Sequence, residues 1–114
     1  MIRGEIWWAD LGLPFGSKPG FNRPVVILQD NSFNKSKIRT IIVLSISTNL
    51  LLADAPGNIL LKKEESGLPK DGVINVSQIS TIDKQRLTKK IGIISRASVE
   101  KIDVGIKLIL GLEQ

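Results

Sequence analysis

Asn22-Arg23-Pro24-Val25-Val26-Ile27-Leu28, followed by Ile38 to Ile46 and then Ser47-Thr48-Asn49-Leu50, decides how this chain is read. Val25 to Gln29 is a β-branched run opened by Pro24, which is tolerated in the first residues of a strand where its missing N–H is not needed. Ile38 to Ile46 is a second such run. The two strands therefore carry a cation at one end and a hydroxyl pair at another. Arg23 precedes a proline, which holds its backbone extended and sets where the side chain starts. The chain contains no histidine and no cysteine, so the usual proton shuttles and thiol nucleophiles are excluded. Chemistry here must run on guanidinium, hydroxyl, amide and carboxylate groups. A planar guanidinium fork suits phosphate, and RNA brings its own nucleophile as a 2′-hydroxyl.

Working outward, Ile6 to Leu11 reads as a first strand, and residues 12–22 as a loop holding Gly12, Gly16 and Gly20 beside Pro14 and Pro19. Asp30 to Lys37 is polar and turn-like. Asn58 to Leu61 and Gly72 to Val76 are two further short strands, joined by a turn from Glu64 to Lys70. Ser80 to Arg86 reads as a helical turn or bend, and Lys89 to Ile94 as the last strand. Ser95 is a suitable N-cap for a closing helix in which Val99, Ile102, Ile106, Ile109 and Leu110 share a face packed on the sheet. Short strands, Gly/Pro turns and one terminal helix describe a mainly β protein, a small antiparallel barrel with a C-terminal α-helix.

The 114 residues suit a single domain over 1–114, and 42% hydrophobic content is enough for a core. No apolar run approaches a membrane span and the N-terminus has no signal-peptide character, so the expected location is cytoplasmic without membrane contact. Sixteen basic against eleven acidic residues give a formal charge of +5, which favours polyanionic partners, nucleic acid above all. That charge is scattered, a pattern shared by small basic proteins that bind no nucleic acid. Without His or Cys, only carboxylates could bind a hard cation, and Glu64-Glu65 reads more simply as a solvated turn, so no metal or other cofactor is expected. No Walker-type loop or dinucleotide fingerprint is present.

Four blocks in order resemble the MazF/PemK family of toxin endoribonucleases. They are Gly4-Glu5-Ile6-Trp7-Trp8-Ala9-Asp10-Leu11; Arg23-Pro24-Val25-Val26-Ile27; Ser47-Thr48-Asn49-Leu50 with Ala53 to Leu61; and Gly67 to Asn75 with Thr81 to Leu87. The resemblance implies an SH3-like barrel of the MazF/CcdB toxin type. It implies a homodimeric, metal-independent, sequence-selective endoribonuclease that cuts single-stranded mRNA, and a cognate antitoxin whose acidic tail covers the RNA groove. Arg23 would then hold the scissile phosphate, with Ser47 or Thr48 as the active hydroxyl. The family pattern is of the Leu-Thr-Ser-Asn kind, whereas this chain has Ile46-Ser47-Thr48-Asn49, which selects Ser47 and makes Thr48 the second choice. Strand alternation should send the two hydroxyls to opposite faces, leaving one in the groove of Arg23.

Phe15, Ser17, Lys18 and Asn22 would follow RNA along the first loop, with Asn49, Gln78 and Ser80 as further RNA contacts. Simpler readings stand beside each. Arg23 could be a surface residue paired with Asp10 or Glu5, the hydroxyls could cap a turn through Asn49, and Phe15 and Phe21 could anchor the loop to the barrel. Trp7 and Trp8 face opposite ways, one expected in the core and one at a surface or dimer contact. Two rival functions share the fold: a gyrase-binding toxin of the CcdB kind, and an RNA-binding barrel without catalysis. The CcdB kind resemble each other at a C-terminal Trp-Gly-Ile, and this chain ends Gly111-Leu112-Glu113-Gln114.

Overall fold

A computed structural model describes residues 1–13, 16 and 21–112. Six antiparallel strands form one sheet: β1 (Glu5–Asp10), β2 (Asn22–Ile27), β3 (Thr40–Ser47), β4 (Ile59–Leu61), β5 (Gly72–Asp83) and β6 (Leu87–Ile93). Their order is β4-β5-β3-β2-β1-β6, curled into a half-barrel. Among the described residues three α-helices accompany it, α1 (Asn31–Asn34), α2 (Lys63–Ser66) and the C-terminal α3 (Arg96–Leu110). Among the described residues no helix is long and apolar enough to cross a membrane.

Period-two alternation gives the sheet two apolar faces. Ile6, Val26, Leu44, Ile46, Ile74 and Val76 lie on one, packed with Ile59 and Leu61 of β4, Leu68, and Ile102 of α3. Ala9, Val25, Ile27, Ile41, Val43 and Leu87 lie on the other. Trp8 packs against the first cluster and Trp7 against the second, so they do face opposite ways. Both are half-buried, so neither is the fully buried core residue expected of one of them. The indole N–H of Trp7 donates to Glu5 Oε1 at 3.1 Å.

Glu5 is a buried acid with a full set of partners. Its Oε1 also accepts the Ile2 N–H at 2.9 Å, and its Oε2 lies 2.9 Å from Lys90 Nζ. Burial pushes its pKa up, but the bonds from Lys90, Trp7 and Ile2 outweigh that and hold it below the ordinary value of 4.5. The Glu5 carboxylate is thus shared by Lys90, Trp7 and Ile2.

Several elements depart from the sequence reading. The polar stretch after β2 contains α1, whose start Asp30 caps by accepting from the N–H and hydroxyl of Ser32. β5 runs through to Asp83, well past the expected end at Val76. A register shift between Leu44 and Ser45 lets it bend, so the polar residues Ser77 and Gln78 sit at an irregularity inside a strand, and the expected helical turn is only Lys84–Arg86. Glu64-Glu65 is not simply a solvated turn. Glu65 belongs to α2, and its Oε2 accepts from Ser95 N–H (2.9 Å) and Ser98 Oγ (2.7 Å), tying α2 to the start of α3. Burial raises the Glu65 pKa, and those bonds bring it down below its ordinary value.

Ser95 is the N-cap of α3 as read, accepting from Ser98 N–H at 3.1 Å. The helix packs through Ile102, with Val99 and Ile106 half-buried. Ile109 and Leu110 were expected on that packed face, yet they are 47% and 53% exposed. The last turn has left the sheet.

Candidate functional site

β2 lies between β1 and β3, and its register places Val25 opposite Ser45. Continuing that register puts Arg23 across from Ser47. Arg23 itself is the second residue of β2, opposite Ala9 of β1. Pairing with β3 begins only at Val25, so Pro24 falls where that ladder has not yet formed. By alternation Arg23 shares a face with Val25 and Ile27, and it is exposed at the end of that face.

The polar depression there, of about 190 Å³, is lined by Arg23, Ser45, Ile46, Ser47, Leu52, Asn75 and Gln78. Arg23, Ser47 and Gln78 were candidates from sequence; Ser45 and Asn75 were not. The alternation Ser45-Ile46-Ser47 at the end of an otherwise apolar strand was the signal that could have found Ser45. Asn75 lies in the fourth block quoted above, and cross-strand pairing sets it directly opposite Ser45.

A second depression, about 250 Å³, lies on the other side of Arg23. It is lined by Trp8, Asn22, Arg23, Pro24, Ile46, Thr48, Leu68, Pro69, Lys70, Asp71 and Gly72. Ser47 and Thr48 therefore part to different sides, as alternation requires. Arg23 borders both depressions, so alternation alone does not choose between the hydroxyls.

Local hydrogen bonding distinguishes them. Ser47 Oγ accepts the Asn49 N–H at 3.0 Å, which leaves its own proton to donate outward. Asn49 Oδ1 accepts the Leu51 N–H at 3.2 Å and caps the one-turn 3-10 segment Leu50–Asp54. Asn49 borders neither depression, which favours its simpler role as a turn cap. Ser80 stands opposite Val43 on β3 and likewise borders neither. Asn22 reaches the second depression, and Gln78 the first. Phe15, Ser17 and Lys18 lie outside the described residues. Phe21, at the end of that loop, is 57% exposed, so burial of its ring does not anchor the loop. Its carbonyl accepts the Leu11 N–H at 2.9 Å, which pins the loop stem beside Asn22 and Arg23.

Of the described residues that line the second depression, Arg23 and Lys70 are cations, and the carboxylate, Asp71, is engaged by Lys63 N–H at 2.8 Å and Lys62 Nζ at 3.7 Å. Such a surface attracts phosphate.

Fold and site together define a small curled β protein with a C-terminal helix and a cationic, hydroxyl- and amide-lined depression at the end of its central strands. The family model described as PemK-like, MazF-like toxin of type II toxin-antitoxin system matches residues 2–110, and the chain belongs to that family. Endoribonuclease MazF6 of Mycobacterium tuberculosis (strain ATCC 25618 / H37Rv) is 40% identical over 110 residues, covering 96% of each chain. Endoribonuclease MazF of Staphylococcus epidermidis is 37% identical over 110 residues, covering 96% of this chain and 91% of its own. An endoribonuclease from a mycobacterial species, solved in complex with its cognate antitoxin, superposes with a TM-score of 0.82. That match covers 100% of this chain and 98% of the other at 22% identity, and it speaks to the fold.

Proposed function

We propose that this toxin is an endoribonuclease that cuts single-stranded mRNA at selected sequences, with Arg23 at the centre of the reaction. The 2′-oxygen of one nucleotide attacks its own 3′-phosphorus, and the bond from phosphorus to the 5′-oxygen of the next nucleotide breaks. A 2′,3′-cyclic phosphate and a 5′-hydroxyl result, the 2′-hydroxyl giving up its proton and the leaving oxygen gaining one. Arg23 holds the phosphate and stabilises the charge that grows on its oxygens. A guanidinium keeps its proton at any ordinary pH, which makes it a better electrostatic partner than a base. Ser47, whose hydroxyl accepts from Asn49 and keeps its own proton to give, donates to a phosphate oxygen. Thr48, on the far side of Arg23, is the second candidate for that role.

The observation that carries this reading is the meeting of Arg23, Ser47, Asn75 and Gln78 at one depression, in a chain 40% identical to a named endoribonuclease. Metal independence is part of the proposal. The working form would be a homodimer held in check by a cognate antitoxin. Incubation with a long RNA in EDTA, followed by mapping of both new ends, tests the reaction. Cuts ending in cyclic phosphate and 5′-hydroxyl are expected; intact RNA, or cutting that returns only with added metal, would overturn it.

A further inference from the structure

Ser45 breaks the apolar series Ile41 and Val43 on one face of β3, and it is only 5% exposed. Among the described residues its side chain has no hydrogen-bond partner. Yet among the described residues no fully buried side-chain oxygen or nitrogen lacks a partner. The Ser45 hydroxyl therefore owes its remaining exposure to the depression it lines. A nearly buried hydroxyl with no partner is a cost to folding that alanine would avoid.

Its neighbours define the chemistry it could serve. Asn75 stands directly opposite on β5. The Asn75 Oδ1 is committed to Ser77, accepting from its N–H at 3.1 Å and its hydroxyl at 2.7 Å, which leaves Nδ2 as the donor side of that amide. Gln78 completes the group, and the cation Arg23 is exposed at its edge. Neutral hydroxyl and amide groups set deep, with a cation at the rim, suit a nucleobase edge below its own phosphate.

We propose that Ser45 and Asn75 form the floor of a base-reading pocket for the nucleotide whose phosphate Arg23 holds, so that Ser45 helps set cleavage specificity. The inference rests on the RNA-cleavage reading. Its test uses RNAs randomised at the positions flanking a mapped cut, digested by the parent protein and by Ser45→Ala. The expected result is a loss of roughly tenfold in preference at one nucleotide beside the cut, with the other positions unchanged. Thermal stability should be equal or higher, because an unpartnered hydroxyl has been removed. An unchanged preference, or a uniform slowing at every sequence, would overturn the role of Ser45. A parent protein that cuts nothing would instead sink the RNA-cleavage reading. Should Ser45→Ala fail to fold, Asn75→Asp decides in its place. It keeps the acceptor for Ser77 and swaps the amide donor for an acceptor, so the preferred base must change or the pocket is refuted.

Discussion

Gly105 sits buried in α3 where the helix crosses the turn before β4, and replacing it with alanine tests how tightly the two are pressed together. A Cβ at position 105 would clash with the Gly57 carbonyl oxygen, and would stand 3.0 Å from Val76 Cγ1 and 3.2 Å from the Gly57 carbonyl carbon. The turn has little room to yield. Asn58 holds it by donating to the Leu52 carbonyl at 3.0 Å and accepting the Val76 N–H at 3.0 Å. Alanine gains about 1 kcal/mol of helix propensity over glycine. Overpacking against fixed backbone costs about 3 kcal/mol, at the upper end for inserted methyl groups. The net loss should be about 2 kcal/mol, or roughly 8 °C in Tm for a chain of this size. Urea and thermal unfolding followed by circular dichroism would measure it, with the exposed Glu100→Ala on the same helix expected within about 0.5 kcal/mol of the parent. A Gly105→Ala protein as stable as the parent would show that α3 is not seated on Gly57. The consequence reaches the site, because Asn58 also fixes Leu52, which lines the polar depression.

Glu65→Ala should cost about 2 kcal/mol by freeing the N–H of Ser95 and the hydroxyl of Ser98 together, measured by the urea midpoint. Glu5 and Glu65 titrate lower in the folded chain than their ordinary 4.5, so the stability they contribute is full above that pH and is lost as pH falls through their folded values. A Glu5→Gln protein should therefore lose less stability than the parent between pH 5 and pH 3, and equal losses would refute the linkage. Affinity for an uncleavable RNA should fall steeply as salt rises, and a flat response would point to a protein target instead. Ser47→Ala should slow cleavage roughly tenfold to a thousandfold while Thr48→Ala costs far less. Cleavage lost only in Thr48→Ala would move the chemistry to the second depression.

Much of the fold was legible because β2 and β3 announce themselves. Val25, Val26 and Ile27, then Ile41 to Leu44, are apolar runs rich in β-branched residues and buried or half-buried on both faces, and no helix competes for them. Ser95 and the spacing of Val99, Ile102 and Ile106 likewise set α3. What escaped were features decided by tertiary context. β5 hides its continuity behind Ser77 and Gln78, polar residues that only a register shift explains. Glu65 looks solvated until the chain brings Ser95 and Ser98 to it from thirty or more positions away. Ile109 and Leu110 keep the helical spacing but overrun the sheet.

The site divides along the same line. Arg23 and Ser47 carry types and positions that single them out, and β2–β3 pairing brings them together. Asn49 carries the right chemistry but spends it on capping Leu51. Ser45 and Asn75 were invisible singly, since each is an ordinary polar residue in a strand. Only their cross-strand pairing makes them a floor.

The most direct measurement is the cleavage rate of Arg23→Ala against the parent on one RNA substrate in EDTA, with circular dichroism to confirm that the variant is folded. Loss of a preorganised charge contact to the transition state should cost about 3 kcal/mol or more, a fall of at least roughly a hundredfold, with the fold intact because Arg23 lies outside both apolar clusters. A folded Arg23→Ala protein that cuts at near the parent rate would remove this depression from the reaction.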